Sequence, residues 1–237
     1  ALTPFEVLKG FRRPDEIFQF LAKVPPNKTW KELKNLQAPS DEETLRTLFV
    51  ALMESEASLR EEMLNHAALG ARALEDENPV YGWMRSLHEA YPGDMGALAP
   101  FLFHYRALTP GEGIYIAPGE LHAYLRGTGM EIMANSDNVL RGGLTPKHVD
   151  VLELLRIVNF DHQPVEILNP GEEEGRERSY VTPASEFRLS LLEIRPDRSF
   201  VSAAERNVEI LMIVEGEVVI HNMGTEEEHP LVKGASV

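Results

Sequence analysis

The chain has 237 residues, enough for one large domain or two ordinary ones with a buried core. Its 38 acidic residues outnumber 23 basic residues, and the resulting formal net charge of -15 disfavours binding to nucleic acid or to an anionic membrane surface. The absence of cysteine excludes disulfides and thiolate metal sites, and since neither a membrane-spanning apolar run nor a signal-peptide pattern occurs, we expect a cytoplasmic protein.

Residues 1–100 are predicted to form a helical module. The apolar residues of PFEVLKGF, near the start, have helical spacing, and PDEIFQFLAKV is a second short helix. Ser40 and Glu43 form a candidate capping box for the longest helix, whose apolar face continues to Met63. PVYGWMRSLHEAYPGD predicts a further helix that ends before a Pro-Gly pair.

The sequence after residue 100 has a different pattern. Short apolar or alternating runs lie between Gly, Pro, Asp and Asn turns, which is typical of an antiparallel β sandwich or barrel. The predicted strands are FLFHYRAL, GIYIA, ELHAYL, MEIMA, FRLSLLEI and VEILMIVEGEVVIH. The acidic segment LNPGEEEGRERSY is predicted to be a loop between two β modules. The sequence thus predicts an α+β protein with a helical module (1–100) followed by β modules at 101–163 and 164–237.

The segment PGELHAYLRGTGMEIMANSDNVLRGG (118–143) concentrates groups suited to chemistry. His122 and Tyr124 share a face of the predicted strand ELHAYL, and a hairpin would bring Glu131 back towards them. Neutral imidazole suits Zn²⁺ and Arg141 suits an anionic sugar. From the residues alone, however, an ordinary surface or core role is favoured for each, and Asp137 with Arg141 could be a surface pair.

The longer string GELHAYLRGTGMEIMANSDNVLRGGLTPKHVDVLELL closely resembles the signature of the type I phosphomannose isomerases, the zinc-dependent mannose-6-phosphate isomerases of the cupin superfamily. The likeness extends, in the right order, to ALTPFEVLKGF, YPGDMGALAPFLFHY and PGEGIYIAPGELHAY. It implies jelly-roll β modules and one zinc ion per complete enzyme. It also implies interconversion of mannose 6-phosphate and fructose 6-phosphate by proton transfer between C1 and C2 through a cis-enediol.

The resemblance also assigns roles to residues. It makes His122 a zinc ligand and Arg141 the catalytic group that stabilises the enediolate charge, with Asp137 placed to orient Arg141. Tyr124 matches a pocket residue of the family, and Lys147 is the expected phosphate contact. The chemistry is coherent, because a dication beside two oxygens acidifies the C–H between them and a fixed guanidinium stabilises the resulting charge.

The chain departs from the family at the other zinc ligands. In the family these are a Gln and a His in a Gln-x-His motif and the Glu of a Lys-Pro-Glu motif, and neither motif occurs in these 237 residues. We therefore expect the chain to lack the N-terminal part and the C-terminal end of the family's members, and to be inactive alone. The alternative is a non-catalytic sugar-phosphate-binding cupin that kept the Arg/Lys pocket. We expect a monomer that binds a hexose 6-phosphate and neither nucleic acid nor membrane.

The remaining histidines are given ordinary roles. His104, in a predicted strand, is expected to be a core or hydrogen-bonded residue rather than a ligand, and His162 is expected to lie in the terminal β module. The segment HNMGTEEEH is predicted to be a hairpin tip with solvated carboxylates rather than a metal loop.

Overall fold

The structure is a computed structural model that divides into two compact units, Thr3–Leu168 and Asn169–Val237. Helices and small antiparallel sheets make it an α+β protein, as predicted. The predicted module boundaries stay a prediction. The residues that the structure describes are 1–25, 32–33, 38–136, 139–162, 164–171, 177–197, 199–202 and 208–237.

The described helices belong to the first unit. They are α1 (Pro14–Lys23), α2 (Asp41–Met53), α3 (Ala57–Arg72), α4 (Pro79–Ala90), a 3₁₀ turn (Met95–Leu98), α5 (Ala99–Leu102) and α6 (Val151–Ile157). Two of them begin at side-chain caps: the Ser40 hydroxyl accepts the Glu43 N–H at 3.2 Å, and the Asn78 side chain accepts the Val80 N–H at 3.0 Å. None of the described helices is long and apolar enough to cross a bilayer.

The prediction of one long helix from Ser40 to Met63 is wrong in one respect, because the segment forms two helices. The break lies between Met53, which ends α2, and Ala57, which begins α3. At the break the Ser55 hydroxyl donates to the Leu52 carbonyl at 2.7 Å. Such a local side-chain hydrogen bond competes with the helical ladder, and the apolar periodicity on either side of it does not reveal the interruption.

The first predicted helix is also wrong, because Phe5–Phe11 is a strand, β1. It is the middle strand of an antiparallel sheet, between β2 (Phe103–Leu108) and β3 (His122–Arg126). A strand that is buried on both faces carries apolar residues without strict alternation, and this imitates helical spacing. Val7 and Leu8, neighbours with opposite orientations, are both fully buried. The predicted strand FLFHYRAL is confirmed over residues 103–108, which form β2, whereas Phe101 and Leu102 belong to α5.

Two further predicted strands, GIYIA and MEIMA, are absent from the described sheet. Instead of forming a hairpin with MEIMA, β3 pairs with β1. Gly127, at φ +111°, lets the chain lie against Pro4, because a Cβ at this position would be 2.5 Å from the Pro4 carbonyl oxygen. Thr128 then exchanges hydrogen bonds with Thr3, so the chain after β3 continues along β1 rather than turning back.

The second unit contains two described hairpins. One pairs β4 (Glu177–Ser179) with β5 (Ser190–Leu192), and the other pairs β6 (Glu217–His221) with β7 (Glu228–Val232). The predicted loop LNPGEEEGRERSY is therefore wrong at its end, where β4 lies; its residues 172–176 are outside the described residues. The predicted hairpin tip is confirmed, since residues 222–227 connect β6 and β7 and are exposed.

The hydrophobic core of the first unit is centred on aromatic rings. Phe11 of β1 lies with its ring centroid 5.0–5.6 Å from those of Phe49, Phe103 and Phe160. These rings join β1 to α2, to β2 and to the segment that follows α6. The core therefore holds the three-stranded sheet rigidly against the helices, and β3, on the open side of β1, is carried by that sheet.

Candidate active site

Strand β3 presents His122 and Tyr124 on the same, exposed face. Their ring centroids are 5.6 Å apart. The Nδ1 atom of His122 lies 3.1 Å from the carbonyl oxygen of Glu120. A proton on Nδ1 would be donated to that carbonyl, which leaves Nε2 as the lone-pair atom, and this is the usual arrangement of a metal-binding histidine.

A buried ion pair supports the start of β3. Lys9 Nζ lies 2.9 Å from Glu120 Oε1, and the two side chains are only 8% and 6% exposed. The second carboxylate oxygen of Glu120 accepts the Ala117 N–H at 2.7 Å. Lys9 is also the residue of β1 that pairs with His122. The pair therefore fixes the backbone whose carbonyl contacts the His122 ring.

Tyr124 makes two contacts on the exposed face. Its hydroxyl donates to Glu131 Oε1 at 2.6 Å, and its ring packs edge-on against Phe5 at 5.4 Å. Partial burial and the carboxylate of Glu131 both raise the pKa of Tyr124 above its ordinary value. Glu131 thus reaches Tyr124 by its side chain, although the predicted hairpin that would have placed it there is absent.

The loop at 139–150 is anchored by Asp94, next to the 3₁₀ turn. One Asp94 oxygen accepts the Gly96 N–H at 2.7 Å and the other accepts the Thr145 N–H at 3.3 Å. Gly143 has φ +132°, and a Cβ there would be 2.8 Å from Asp94 Oδ1. At Gly142 a Cβ would be 3.1 Å from Leu121, so the loop passes directly beside the residue that precedes His122.

Arg141 and Lys147 lie on this loop, and both are exposed. Neither forms an ion pair with another described residue. Asp137 lies outside the described residues, so its predicted role stays a prediction. The structure thus brings together His122, Tyr124 and Glu131, and it puts the loop that carries Arg141 beside the first end of β3.

The residues at this site fit a zinc ion only as part of a ligand set. His122 has the exposure and the Nδ1 contact of a ligand, but protein zinc sites use three or four ligands. Among the described residues, the one group of three or more potential ligands is Glu16, His104 and His162, and His122 does not belong to it. Among the described residues, His122 is therefore a candidate for one ligand of the predicted site.

Sequence reasoning missed a polar cluster around Glu6. Trp83 Nε1 donates to Glu6 Oε2 at 2.6 Å, the Tyr105 hydroxyl donates to the same oxygen at 2.9 Å, and Arg126 pairs with Oε1. Burial raises the pKa of Glu6, but these donors outweigh burial and lower it below its ordinary value. Burial and the same contact raise the pKa of Tyr105 to about 12.

The cluster forms one wall of an open cleft of about 410 Å³, whose remaining residues come mainly from α4. Its members are 77 to 120 residues from Glu6 along the chain, so no local pattern could have revealed it. Both oxygens of the Glu6 carboxylate accept from these donors, and the contacts link β1 to β2, β3 and α4.

Curated relatives cover almost the whole chain. The mannose-6-phosphate isomerase of Salmonella typhimurium is 34% identical over 221 residues, which are 93% of this chain and 55% of the relative. The human mannose-6-phosphate isomerase is 30% identical, in an alignment that covers 99% of this chain and 60% of the relative. The chain thus spans somewhat more than half the length of these relatives. No family model matches.

Solved structures give the same result. The Salmonella typhimurium mannose 6-phosphate isomerase bound to substrate (fructose 6-phosphate) and zinc has a TM-score of 0.85 and 31% identity, and it is matched over 100% of this chain and 59% of its own. Its form without ligand has a TM-score of 0.81. Over the segment that it covers, the chain is therefore similar to mannose-6-phosphate isomerases in both sequence and fold.

Proposed function

We propose that this chain is part of a zinc-dependent isomerase that interconverts mannose 6-phosphate and fructose 6-phosphate by proton transfer between C1 and C2 through a cis-enediol. The observation that carries the proposal is the combination of His122 and Tyr124 on one exposed face with the Arg141 loop beside it. It is supported by the similar Salmonella structure, which holds fructose 6-phosphate and zinc.

His122 contributes one zinc ligand through Nε2, with the Glu120 carbonyl holding the opposite ring nitrogen. The other ligands are not among the described residues of this chain. When bound, zinc would polarise the substrate oxygens and acidify the C–H between them. The buried pair of Lys9 and Glu120 keeps His122 in place while the proton moves.

Arg141 stabilises the negative charge that develops on the enediolate, and Asp137 orients its guanidinium. A fixed positive group at such a position is worth about 3–4 kcal/mol in the transition state. Lys147, on the same loop, binds the 6-phosphate. Tyr124 lines the sugar site, and burial and Glu131 raise the pKa of its hydroxyl further above neutral pH.

The proposal extends to the fold and the setting. The antiparallel strands at 101–163 and 164–237 would belong to cupin-type jelly-roll modules, and 1–100 would be the helical module with β1 added to the first sheet. Such a protein would act in the cytoplasm as a monomer. The strongly negative net charge suits neither nucleic acid nor an anionic membrane.

A binding experiment tests the phosphate contact separately from catalysis. We would titrate fructose 6-phosphate into the chain by calorimetry and compare Lys147→Ala with Lys233→Ala, an exposed lysine of the second unit. Because a charged hydrogen bond contributes about 1.5–3 kcal/mol, Lys147→Ala should weaken binding roughly 10- to 100-fold. Lys233→Ala should leave it unchanged. Equal affinities for the two variants would contradict the assignment.

A further inference from the structure

Three segments of the first unit converge on a small group of metal-binding side chains away from β3. Glu16 lies in the first turn of α1, His104 in β2 and His162 just after Phe160. One potential ligand atom from each lies within 4.8 Å of the others. His104 is only 6% exposed, while the other two are partly exposed. The group is thus reachable from solvent at two of its three members.

Packing buries the His104 ring but leaves one of its polar atoms without a hydrogen-bond partner in the described part of the chain. Its Nε2 atom is buried and has no hydrogen-bond partner among the described residues. A buried polar atom without a partner is destabilising. In native structures an ordered water or a bound ion is among the groups that complete such an atom.

The neighbouring residues are arranged as they are around metal ligands. The Nδ1 atom of His162 contacts the Phe11 carbonyl at 3.2 Å, so its Nε2 is left for a ligand. The rings of His104 and His162 are 5.4 Å apart and tilted by 44°.

We propose that Glu16, His104 and His162 form a second transition-metal site, of the two-histidine, one-carboxylate type that suits Zn²⁺, and that the ion clamps α1, β2 and the segment after α6 together. Zinc–ligand bonds of about 2.0–2.2 Å place the ligand atoms about 3.5 Å apart. One Glu16 carboxylate oxygen accepts the Arg13 N–H at 3.1 Å, so its other oxygen would approach the ion to close the remaining gap. Water would complete the coordination.

Positive charge from Arg12 and from Arg106, which both act on His104, opposes the ion. Arg12 is buried beside the group, with its guanidinium carbon 4.8 Å from the centre of the Phe20 ring. Burial lowers the pKa of Arg12 to about 10, so it remains charged at neutral pH, although Glu16 offsets part of that charge. The second site is therefore weaker than the same three ligands would be without Arg12.

The test uses the chain with His122→Ala, which removes the ligand of the proposed active site. We would titrate Co²⁺ and Zn²⁺ into this variant, following the visible absorption of Co²⁺ and the stoichiometry by calorimetry. We expect one ion per chain, and a rise in Tm of about 5 °C or more at a hundredfold excess of Zn²⁺ over Kd. Absence of binding in this variant would overturn the proposal, and it would leave the isomerase assignment untouched.

Matched variants locate the ion. Glu16→Gln and His162→Ala, both at partly exposed positions, should each weaken binding at least about tenfold. His229→Ala, at an exposed histidine of β7 in the second unit, is the control and should bind as the parent does. Circular dichroism and Tm without metal establish that each variant is folded. Unchanged affinity in Glu16→Gln and His162→Ala would refute the site.

Discussion

The buried pair of Lys9 and Glu120 offers a quantitative test of how the start of β3 is held. Its side chains are 2.9 Å apart and at most 8% exposed. Lys9→Met leaves a carboxylate buried without its cation, so we expect it to lower the free energy of unfolding by about 3–5 kcal/mol. Glu120→Gln removes the charge but retains an oxygen for the Ala117 N–H.

The double variant Lys9→Met/Glu120→Gln tests whether the two side chains are energetically coupled. In the wild type, Glu120→Gln should destabilise, because it leaves a buried ammonium. In the Lys9→Met background the same change should instead stabilise by at least about 1 kcal/mol, because it removes the uncompensated carboxylate. The sign of the Glu120→Gln effect thus depends on whether Lys9 is present.

Urea unfolding followed by tryptophan fluorescence measures these values. Both tryptophans, Trp30 and Trp83, precede Leu168, so the signal reports on the first unit. Equal destabilisation by Glu120→Gln in both backgrounds would refute the coupling. It would mean that the pair is solvated in solution and that His122 owes its position to the backbone ladder between β1 and β3 alone.

Two further predictions concern the first unit. In metal-free protein, burial lowers the pKa of His104 from an ordinary 6.5 to about 4. Between these pH values the unfolded state binds a proton that the folded state does not, so the free energy of unfolding falls by about 3 kcal/mol as the pH drops from 6.5 to 4. Urea titrations at each pH should show a smaller fall for His104→Gln. Gly143→Ala should lower the free energy of unfolding by about 1–3 kcal/mol, because Gly143 has a positive φ and a Cβ there would clash with Asp94. Gly82→Ala, in open space on α4, is the control and should raise it by about 0.5–1 kcal/mol. Equal effects of the two substitutions on Tm would contradict the predicted strain at Gly143.

Local chemistry in the sequence was enough to predict the helices with good caps. Ser40 and Asn78–Pro79 begin helices because their side chains and the fixed φ of proline satisfy the first turn without outside help. The α+β class followed from the change in pattern at residue 100. The family and its motif residues were found because GELHAYL…SDNVLRGGLTPK is long, and a long string carries more information than any single residue type.

Long-range pairing could not be predicted from the sequence. β1 is a strand because residues about 100 positions away supply both of its partners, and burial on both faces removed the alternation that marks a strand. Three other groups could not be predicted because their members are also far apart in sequence. These are the Glu6 cluster, the Lys9–Glu120 ion pair, and the group of Glu16, His104 and His162. Each depends on how the elements pack, so the local sequence around a residue such as His104 does not show which side chains surround it.

The most direct test of the proposed function is a coupled assay of mannose 6-phosphate to fructose 6-phosphate conversion, with added Zn²⁺. It would compare the 237-residue chain, the protein with its native upstream sequence, and the Arg141→Ala variant of the latter. We predict no turnover by the chain alone and turnover by the longer protein. In Arg141→Ala we expect kcat to fall roughly 100- to 1,000-fold, with a smaller effect on KM and an unchanged Tm. Sugar-phosphate binding without turnover in the longer protein, or an Arg141→Ala variant that keeps its kcat, would contradict the account and favour a binding module.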